Sequence, residues 1–259
     1  MRILPKKSLG QNFLINTVVL EKIVSAAELN KDDTILEIGP GTGNLTKLLS
    51  QKAGRVITIE KDRRLIDGLR EKFKDSNVEI VEGDVLKIDI GTLLGHSIPL
   101  SKAYGNDRYR YKVVANIPYY ITSHLLKTIF EKWPKPKLIV LTVQKEVAKR
   151  ITAKPPEMNL LALSVQLYSE PKIISYVSKG SFRPIPKVDS AIIKLTPNQS
   201  VDAESIKKVL LLAKKAFAGK RKQLKNTLPN MDFTKLSIPA ESRPEELVTS
   251  DWLKIAVEV

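Results

Sequence analysis

The sequence predicts an α/β protein in which a doubly wound, mostly parallel sheet of seven strands is followed by a small all-α C-terminal domain. Three observations lead to this prediction. Short β-branched runs alternate with longer helix-periodic segments, a glycine-rich turn follows the first run, and strand-like runs stop near residue 197. The chain has 259 residues, of which 42% are hydrophobic, so it is long enough for one large core and a smaller appended unit.

Seven short apolar runs have the composition of buried strands. The first five alternate with helical patterns, and this rhythm favours a parallel sheet because each crossover helix returns the chain to the same edge. The last two flank the loop 178–190 and are predicted to form a closing antiparallel pair. The predicted strands are 34–38, 55–59, 78–81, 111–115, 138–143, 172–177 and 191–195.

The character of the sequence changes after Thr196, where the last strand-like run ends. We therefore predict a large domain over residues 1–196 and a small helical domain over residues 197–259. The stretch 91–110 has the weakest pattern and is expected to be an exposed connection. The segments of the small domain that are predicted to be helical are 203–212, 214–228 and 243–257.

The charge balance indicates a polyanionic partner. Lysine and arginine number 43 against 28 aspartate and glutamate residues, which leaves a formal net charge of +15. A protein with this excess gains affinity for nucleic acid by neutralising phosphates and releasing their counterions. A basic protein without a nucleic-acid partner is the alternative that charge alone leaves open.

The composition also excludes several kinds of chemistry. The chain has no cysteine, which removes disulfides, thiolate-bound zinc, iron–sulfur clusters and cysteine nucleophiles, and we expect no metal site. The first ten residues include basic ones, but no apolar segment of a signal peptide follows them. No run approaches the roughly 20 apolar residues of a membrane span. We therefore expect a cytoplasmic protein that does not contact a membrane.

A glycine-rich turn follows the first predicted strand. Gly39, Gly41 and Gly43 form a G-x-G-x-G pattern before a segment that can begin a helix. Glycine lets a ligand approach the backbone where a Cβ atom would repel it. A dinucleotide-binding turn has the pattern G-x-G-x-x-G, but Asn44 occupies the position of its third glycine here. The pattern observed suits a ligand with a sulfonium-linked chain in place of a diphosphate, and the three glycines are candidate cofactor-binding residues.

Acidic residues end the next two predicted strands. Glu60 lies 21 residues after Gly39, where a carboxylate can hold two ribose hydroxyls, and Asp84 is placed to accept a hydrogen bond from an adenine amine. Each residue has a simpler interpretation, Glu60 as a solvated strand end and Asp84 as a helix cap. NAD enzymes share the glycine turn and the first acid. In series, however, the three features resemble the class I S-adenosylmethionine-dependent methyltransferases, whose sheet is Rossmann-like.

The fourth predicted strand ends directly in Asn116-Ile117-Pro118-Tyr119. An exocyclic adenine amine is a weak nucleophile because its lone pair is delocalised into the ring, and hydrogen-bond acceptors favour the localised form. The Asn116 side chain and the Ile117 carbonyl, held extended by Pro118, are the candidate acceptors. Tyr119 is the candidate ring for stacking on a base taken out of its helix. The structural alternative is a strand-ending turn with core tyrosines.

The chain resembles the ribosomal RNA adenine N6,N6-dimethyltransferase family, which modifies two adjacent adenines near the 3′ end of small-subunit ribosomal RNA. The resemblance covers nearly the whole length. It implies S-adenosylmethionine as cofactor, a catalytic methyltransferase domain over 1–196 and an RNA-binding domain over 197–259. The matching segments are 9–14, 37–43, 116–119, 144–148 and 182–190.

The resemblance also implies roles for individual residues of the cofactor site. Asn12 and Leu14 would close over the cofactor. Gly39, Glu60 and Asp84 would bind its methionine, ribose and adenine parts respectively.

The same resemblance implies how the substrate base is held. Asn116 would serve both cofactor and substrate, while Phe182 and Tyr119 would sandwich the target base. Without the resemblance, a phenylalanine before a proline-rich loop is more often a core anchor. His124 departs from the small residue or proline expected at its position, and we predict a surface histidine without a catalytic role.

A cluster of cations in the small domain is the candidate RNA-binding surface. It contains no acidic residue, and a helix with unbalanced cations repels itself unless a polyanion neutralises it. A solvated helix face is the alternative interpretation. The cluster consists of Lys214, Lys215, Lys220, Arg221, Lys222 and Lys225.

Two other functions remain open from the sequence. One is the related large-subunit ribosomal RNA methylation that confers macrolide resistance, whose enzymes share the glycine turn and the Asn-Ile-Pro-Tyr segment. Leu9-Gly10 and Val188-Asp189-Ser190 resemble the small-subunit enzymes better. The other is a ribosome-assembly or transcription factor on the same scaffold. For the preferred function we expect a monomer that acts on small-subunit ribosomal RNA within a pre-ribosomal particle.

Overall fold

A computed structural model of the chain describes residues 4–95, 111–198, 201–219 and 221–258. The chain divides into two compact units. The first contains Met1–Ala148 and Lys172–Pro197, and the second contains Lys149–Pro171 and Asn198–Val259. The sequence prediction placed residues 149–171 in the large domain, whereas the structure groups them with the helical unit.

Most strands belong to one seven-stranded sheet. Its order is β4-β3-β2-β5-β6-β9-β7, and the first five strands in this order are parallel to their neighbours, while β9 is antiparallel to β6. The predicted seven-stranded, mostly parallel sheet is therefore confirmed, and the two strands predicted to form a closing antiparallel pair, β7 and β9, are neighbours in it. The strands are β2 Thr34–Ile38, β3 Arg55–Glu60, β4 Val78–Glu82, β5 Tyr111–Asn116, β6 Leu138–Gln144, β7 Ser169–Val177 and β9 Ser190–Pro197.

The central strands are apolar because both faces of the sheet are covered. Val56, Ile57, Val113, Val114 and Val140 have no exposed surface, which is the pattern expected of parallel strands between two layers of helices. Several strands extend one residue further than predicted. As a result, Glu60 and Asn116, which were predicted to follow β3 and β5, are the last residues of those strands.

Helices connect the strands of the first unit. Most present one apolar face to the sheet, and α3 does so clearly, with Leu65, Ile66, Leu69 and Phe73 buried. The helices are α1 Thr17–Ala26, α2 Asn44–Lys52, α3 Arg63–Phe73, α4 Ile90–Gly95, α5 Thr122–Lys132 and α6 Lys145–Ile151, which crosses the boundary between the units.

The exposed connection expected over 91–110 is wrong in its first part. Residues 91–95 belong to α4, where Ile90 and Leu94 are buried, so two apolar anchors one turn apart hold this segment against the core. The rest of the predicted connection, residues 96–110, lies outside the described residues.

Two short strands form a separate ladder in the first unit. β1 (Phe13–Leu14) pairs antiparallel with β8 (Phe182–Arg183), with Leu14 opposite Phe182. Neither strand was predicted, because two residues are too few to show a periodic pattern. The ladder ties the N-terminal segment to the loop before β9.

The second unit has its own helical core. Trp252 is fully buried and stacks with Phe217 at a centroid distance of 5.8 Å, and Ala162 and Leu163 belong to the same apolar cluster, which is why residues 149–171 join this unit. The predicted helix 214–228 is interrupted at Gly219, where the first helix ends. The helices are α7 Leu160–Gln166, α8 Ala203–Ala218, α9 Leu224–Thr227 and α10 Thr249–Val257. No helix in the described ranges combines the length and apolar character that a membrane crossing requires.

Candidate active site

A cavity of about 160 Å³ lies in the first unit at the carboxyl edge of the sheet. The segments that follow β2, β3, β4 and β5 form its wall, and the N-terminal segment 9–14 contributes a further side. Ligands of open α/β sheets bind at this edge because the loops there diverge and leave a crevice.

The glycine turn forms one wall of the cavity. A Cβ atom built on Gly39 would meet no atom within 4 Å, so the missing side chain leaves open space at a cavity-lining position. At Gly41 the same atom would lie 2.7 Å from the Phe13 ring, and this close packing holds the N-terminal segment against the turn.

Gly43 was predicted to contact the cofactor, and the structure places it outside the cavity wall. It caps α2 with a φ of 76°, and a Cβ atom there would lie 2.8 Å from the Phe73 ring. Lys72 donates a hydrogen bond to the Thr42 carbonyl at 2.9 Å. Gly43 therefore allows α3 to pack against the back of the turn.

Glu60 is a buried carboxylate at the end of β3. One oxygen, Oε2, accepts a hydrogen bond from the Gly41 N–H at 3.1 Å, and Oε1 accepts one from the Asp62 N–H at 2.8 Å. Burial raises the pKa of Glu60, and the backbone hydrogen bonds oppose the rise. Each oxygen retains a second lone pair for a ligand hydroxyl. The solvated strand end considered from the sequence is therefore wrong.

Asp84 follows β4, the strand next to β3, and also lines the cavity. Its Oδ1 accepts a hydrogen bond from the Leu86 N–H at 3.1 Å, and its Oδ2 accepts one from Lys61 Nζ at 2.9 Å. Burial alone would raise the pKa of Asp84, but the hydrogen bonds from Lys61 and Leu86 lower it below its ordinary value. Asp84 therefore caps the next turn and also lines the cavity, so the two interpretations made from the sequence are compatible.

The segment after β5 brings the predicted substrate-binding residues to the same cavity. Asn116 Nδ2 donates to the Asn12 carbonyl at 3.2 Å, and no donor in the described part of the chain bonds to Asn116 Oδ1. The Tyr119 hydroxyl and Ser190 Oγ lie 2.6 Å apart, within hydrogen-bond distance. Burial raises the pKa of Tyr119, so its hydroxyl stays protonated at neutral pH. The Asn116 amide is thus oriented with its acceptor unused.

The N-terminal segment covers part of the cavity. Gln11 Nε2 donates to Asp62 Oδ2 at 2.9 Å, and Asn44 Nδ2 donates to the Leu14 carbonyl at 3.1 Å. The pKa of Asp62 is lowered to about 2, chiefly by its hydrogen bond with Arg64, so Asp62 is a charged acceptor for Gln11. These contacts hold residues 11–14 at the cavity, where Asn12 and Leu14 were expected from the resemblance.

Phe182 reaches the cavity through the β1–β8 ladder. It lines the cavity but has no exposed surface, and it belongs to the apolar cluster that contains Leu14, Val114 and Ile192. The core anchor considered from the sequence is therefore observed. A stacking role requires that Phe182 present an edge or face to a base from within this core.

Glu37 is a feature of the cavity to which the sequence analysis gave no role. It is buried in β2, lines the cavity, and its Oε2 accepts a hydrogen bond from Thr46 Oγ1 at 2.7 Å. Burial raises the pKa of Glu37 to about 8, and the hydrogen bond from Thr46 opposes the rise. An acidic residue inside an otherwise apolar strand was the signal that could have identified it.

We expect Glu37 to make the folded state less stable as the pH rises from about 5 to about 8. Because its folded pKa is raised, its favourable contribution is complete below the unfolded value of 4.5 and is lost as the pH passes about 8. In Glu37→Gln the free energy of unfolding should fall less between pH 5 and pH 8, by an amount on the order of 4 kcal/mol. Denaturant unfolding at several pH values measures the effect, with the exposed Glu71→Gln as control. An unchanged decline in Glu37→Gln would contradict the assignment.

Five of the six predicted RNA-binding cations are described, and all five are exposed in the second unit. Lys214 and Lys215 lie on α8, while Arg221 and Lys222 follow it. Lys225 forms an ion pair with Glu241 at 3.1 Å, so its charge is partly balanced. Lys220 lies outside the described residues. Lys207 and Lys208, two turns earlier on α8, are also exposed cations and lie outside the predicted cluster.

Comparisons with known proteins agree with this geometry. A family model described as ribosomal RNA adenine dimethylase matches residues 4–257. The ribosomal RNA small subunit methyltransferase A of Dehalococcoides mccartyi (strain CBDB1) is 41% identical over 266 residues, covering 98% of this chain and 88% of the relative. The protein of the same name from Mycoplasmopsis synoviae (strain 53) is 41% identical over 240 residues, covering 91% and 87%.

Two solved structures resemble the chain over nearly its whole length. A dimethyladenosine transferase from Plasmodium falciparum gives a TM-score of 0.78 at 29% identity, covering 95% of this chain and 96% of that chain. The 23S rRNA methyltransferase ErmE gives a TM-score of 0.77 at 25% identity, covering 95% and 99%. The likeness therefore includes the sheet and the helical unit.

Proposed function

Because the chain belongs to the ribosomal RNA adenine dimethylase family, we propose that it methylates two adjacent adenines near the 3′ end of small-subunit ribosomal RNA. The enzyme takes methyl groups from S-adenosylmethionine and places two on each N6 amine, giving N6,N6-dimethyladenosine. The observation that carries this proposal is the unused Asn116 Oδ1 acceptor at the wall of the cavity that Gly39, Glu60 and Asp84 also line.

The cavity residues fit S-adenosylmethionine on three counts. The space left by the missing side chain of Gly39 accommodates a chain lying over the turn. Glu60 offers carboxylate lone pairs for two ribose hydroxyls, and Asp84 offers an acceptor for an adenine amine. When bound, the cofactor supplies an electrophilic methyl group attached to a sulfonium.

Asn116 and Ile117 activate the substrate amine in this proposal. Asn116 Oδ1 accepts one N–H of the adenine, and the Ile117 carbonyl accepts the other, which localises the nitrogen lone pair. The hydrogen bond from Asn116 Nδ2 to the Asn12 carbonyl fixes the amide in the orientation required. No side chain has to remove a proton first, because the amine becomes acidic only after it carries the new methyl group. Positioning and fixed dipoles therefore supply the rate enhancement.

Tyr119 and Phe182 hold the flipped base in this proposal. The contact with Ser190 limits rotation of the Tyr119 ring, and the surrounding core limits motion of Phe182. Rigid aromatic walls stack on a purine with little loss of side-chain entropy.

The helical unit contacts the RNA backbone through the exposed cations of α8 and the segment after it. Lys214 and Lys215 carry no acidic partner within the described residues, in contrast to Lys225, which pairs with Glu241. Contacts of this kind position RNA without reading its sequence.

The Lys214→Ala/Lys215→Ala double variant should bind ribosomal RNA more weakly. The logarithm of its affinity should also fall less steeply with the logarithm of the salt concentration, by a slope that corresponds to about one to two phosphate contacts. Its affinity for the cofactor should stay at the wild-type value. RNA titrations at a series of salt concentrations measure the slope. Lys235→Ala, which removes a cation paired with Glu258 at 2.7 Å, is the matched control from the same unit. A loss of cofactor affinity in the double variant would contradict the division of roles.

The choice of small-subunit RNA is supported by the curated relatives at 41% identity, which are named small-subunit enzymes, while the 23S enzyme ErmE is 25% identical. Incubation of the protein and labelled cofactor with immature small subunits, and separately with large-subunit RNA, tests this choice. Mass mapping should place dimethyladenosine at two adjacent positions of the small-subunit RNA. Label that appears in large-subunit RNA alone would overturn the choice.

The proposed substrate is a pre-ribosomal particle in the cytoplasm, and the proposed acting form is a monomer. Sedimentation of the active enzyme with and without the particle measures its oligomeric state.

A further inference from the structure

Tyr120 is an aromatic residue at the cavity that the proposed mechanism does not use. It lines the same cavity as Asn116 and Tyr119, yet 63% of its surface is exposed. No other aromatic side chain among the described residues is so exposed; Tyr176 follows at 53%. A large ring kept in solvent at the mouth of a binding cavity is a candidate contact surface for a substrate.

The local backbone geometry points the side chains of Tyr119 and Tyr120 in different directions. They begin the 3₁₀ helix Tyr119–Ile121, in which successive side chains are rotated by about 120°. Tyr119 is partly buried and has its hydroxyl beside Ser190, whereas Tyr120 extends toward solvent. One ring therefore lies within the cavity wall, and the next lies at its mouth.

The Tyr120 ring is supported on one side by the N-terminal segment. A Cβ atom built on Gly10 would lie 3.1 Å from Tyr120 Cδ1 and 3.6 Å from Pro118 Cβ, so the glycine allows the ring to lie close to the backbone. Contact on one side and solvent on the other leave an accessible aromatic surface that is already positioned. Lys61 lines the same cavity with a side chain that is 53% exposed, and its Nζ pairs with Asp84 Oδ2 at 2.9 Å.

A flipped adenine remains attached to its neighbours through the ribose-phosphate backbone. While its base occupies the cavity, the adjacent nucleotide must lie near the mouth, and enzymes that act on extruded bases commonly contact such flanking nucleotides. Aromatic side chains stack on any base because every base has a π face. The position of Tyr120 thus matches the position that the adjacent nucleotide must occupy.

We propose that Tyr120 is a stacking platform for the base next to the target adenine, an inference that rests on the proposed RNA methyltransferase function. Because the proposed target is a pair of adjacent adenines, one adenine stacks on Tyr120 while the other occupies the cavity. Tyr120 thereby positions the RNA for methylation of either member of the pair.

The experiment compares wild type with Tyr120→Ala, Tyr120→Phe and Tyr176→Ala. Steady-state methylation of immature small subunits gives KM and kcat, and calorimetric titration gives the cofactor Kd. Tyr120→Ala should raise KM for the particle about 5- to 100-fold, in keeping with the loss of one base-stacking contact. Its kcat and cofactor Kd should change little. Tyr120→Phe keeps the ring and should remain near wild type.

Tyr176→Ala is the matched control for removal of an exposed tyrosine ring. Tyr176 lies outside the cavity wall, with Lys145 Nζ 5.1 Å from its ring centroid, and its removal should leave KM unchanged. An unchanged KM in Tyr120→Ala would overturn the proposal. A parallel loss of cofactor affinity would also overturn it, because the ring would then serve only to hold the segment around Gly10. Inactivity of the wild type on small subunits would instead overturn the proposed function.

Discussion

Replacing Asn116 with alanine is expected to lower the rate of methyl transfer about 100- to 1000-fold, the range observed when one preorganised hydrogen-bonding group is removed from an active site. The substitution removes the Oδ1 acceptor for the adenine amine and also the hydrogen bond to the Asn12 carbonyl. Single-turnover methylation at saturating cofactor and RNA measures the chemical step directly. A thermal melt of the same sample shows whether the variant is folded.

His124→Ala is the matched control for Asn116→Ala. His124 is exposed on α5, outside the cavity wall, and the proposed mechanism requires nothing of it, so its removal should leave the rate unchanged. Loss of methylation in Asn116→Ala, with methylation retained in His124→Ala, is the result expected of an enzyme and not of an assembly or transcription factor. Unchanged yield of dimethyladenosine in Asn116→Ala would show that the proposed site is wrong.

Glu60→Ala is expected to weaken cofactor binding about 100-fold, because hydrogen bonds to a charged acceptor contribute about 1.5–3 kcal/mol each. The variant loses the carboxylate that faces the proposed ribose hydroxyls, and the Gly41 N–H loses its acceptor. Titration with S-adenosylhomocysteine measures the affinity without turnover. RNA affinity, which depends on backbone contacts made elsewhere, should stay near wild type.

Glu82 offers a control at the corresponding position of the next strand. It is the register partner of Glu60 in the β3–β4 ladder, but it pairs with Arg63 and lies outside the cavity wall. Glu82→Ala should therefore retain wild-type cofactor affinity. Equal losses in Glu60→Ala and Glu82→Ala would point to a general disturbance of the sheet edge and contradict the specific role of Glu60.

The parallel sheet and its carboxyl edge were predictable because local sequence patterns determine them. Strand β2 occupies the predicted residues 34–38, and the glycine turn follows it at once. Topology then places the ends of parallel strands along one edge, so Glu60, Asp84 and Asn116 could be expected together without knowledge of any contact between them.

Features that depend on distant contacts were not predictable in the same way. The strands of the β1–β8 ladder have only two residues each, and each forms only because the other is present. The grouping of 149–171 with the helical unit depends on which apolar face α7 packs against, which its own periodicity does not specify. The displacement of Gly43 from the cavity wall likewise follows from the Phe73 ring on another helix.

The β1–β8 ladder links the completeness of the cavity to the order in which the chain is synthesised. Asn16 and Ser181, whose side chains meet beside this ladder, are 165 residues apart in sequence. Strands β2 to β6 emerge from the ribosome well before Phe182, so the glycine turn and the Asn116 segment can fold while the N-terminal segment still lacks its partner. Contacts of such long range form late because the chain must first close a large loop. We therefore expect the side of the cavity that the β1–β8 ladder supports to be completed only after Phe182 has been synthesised.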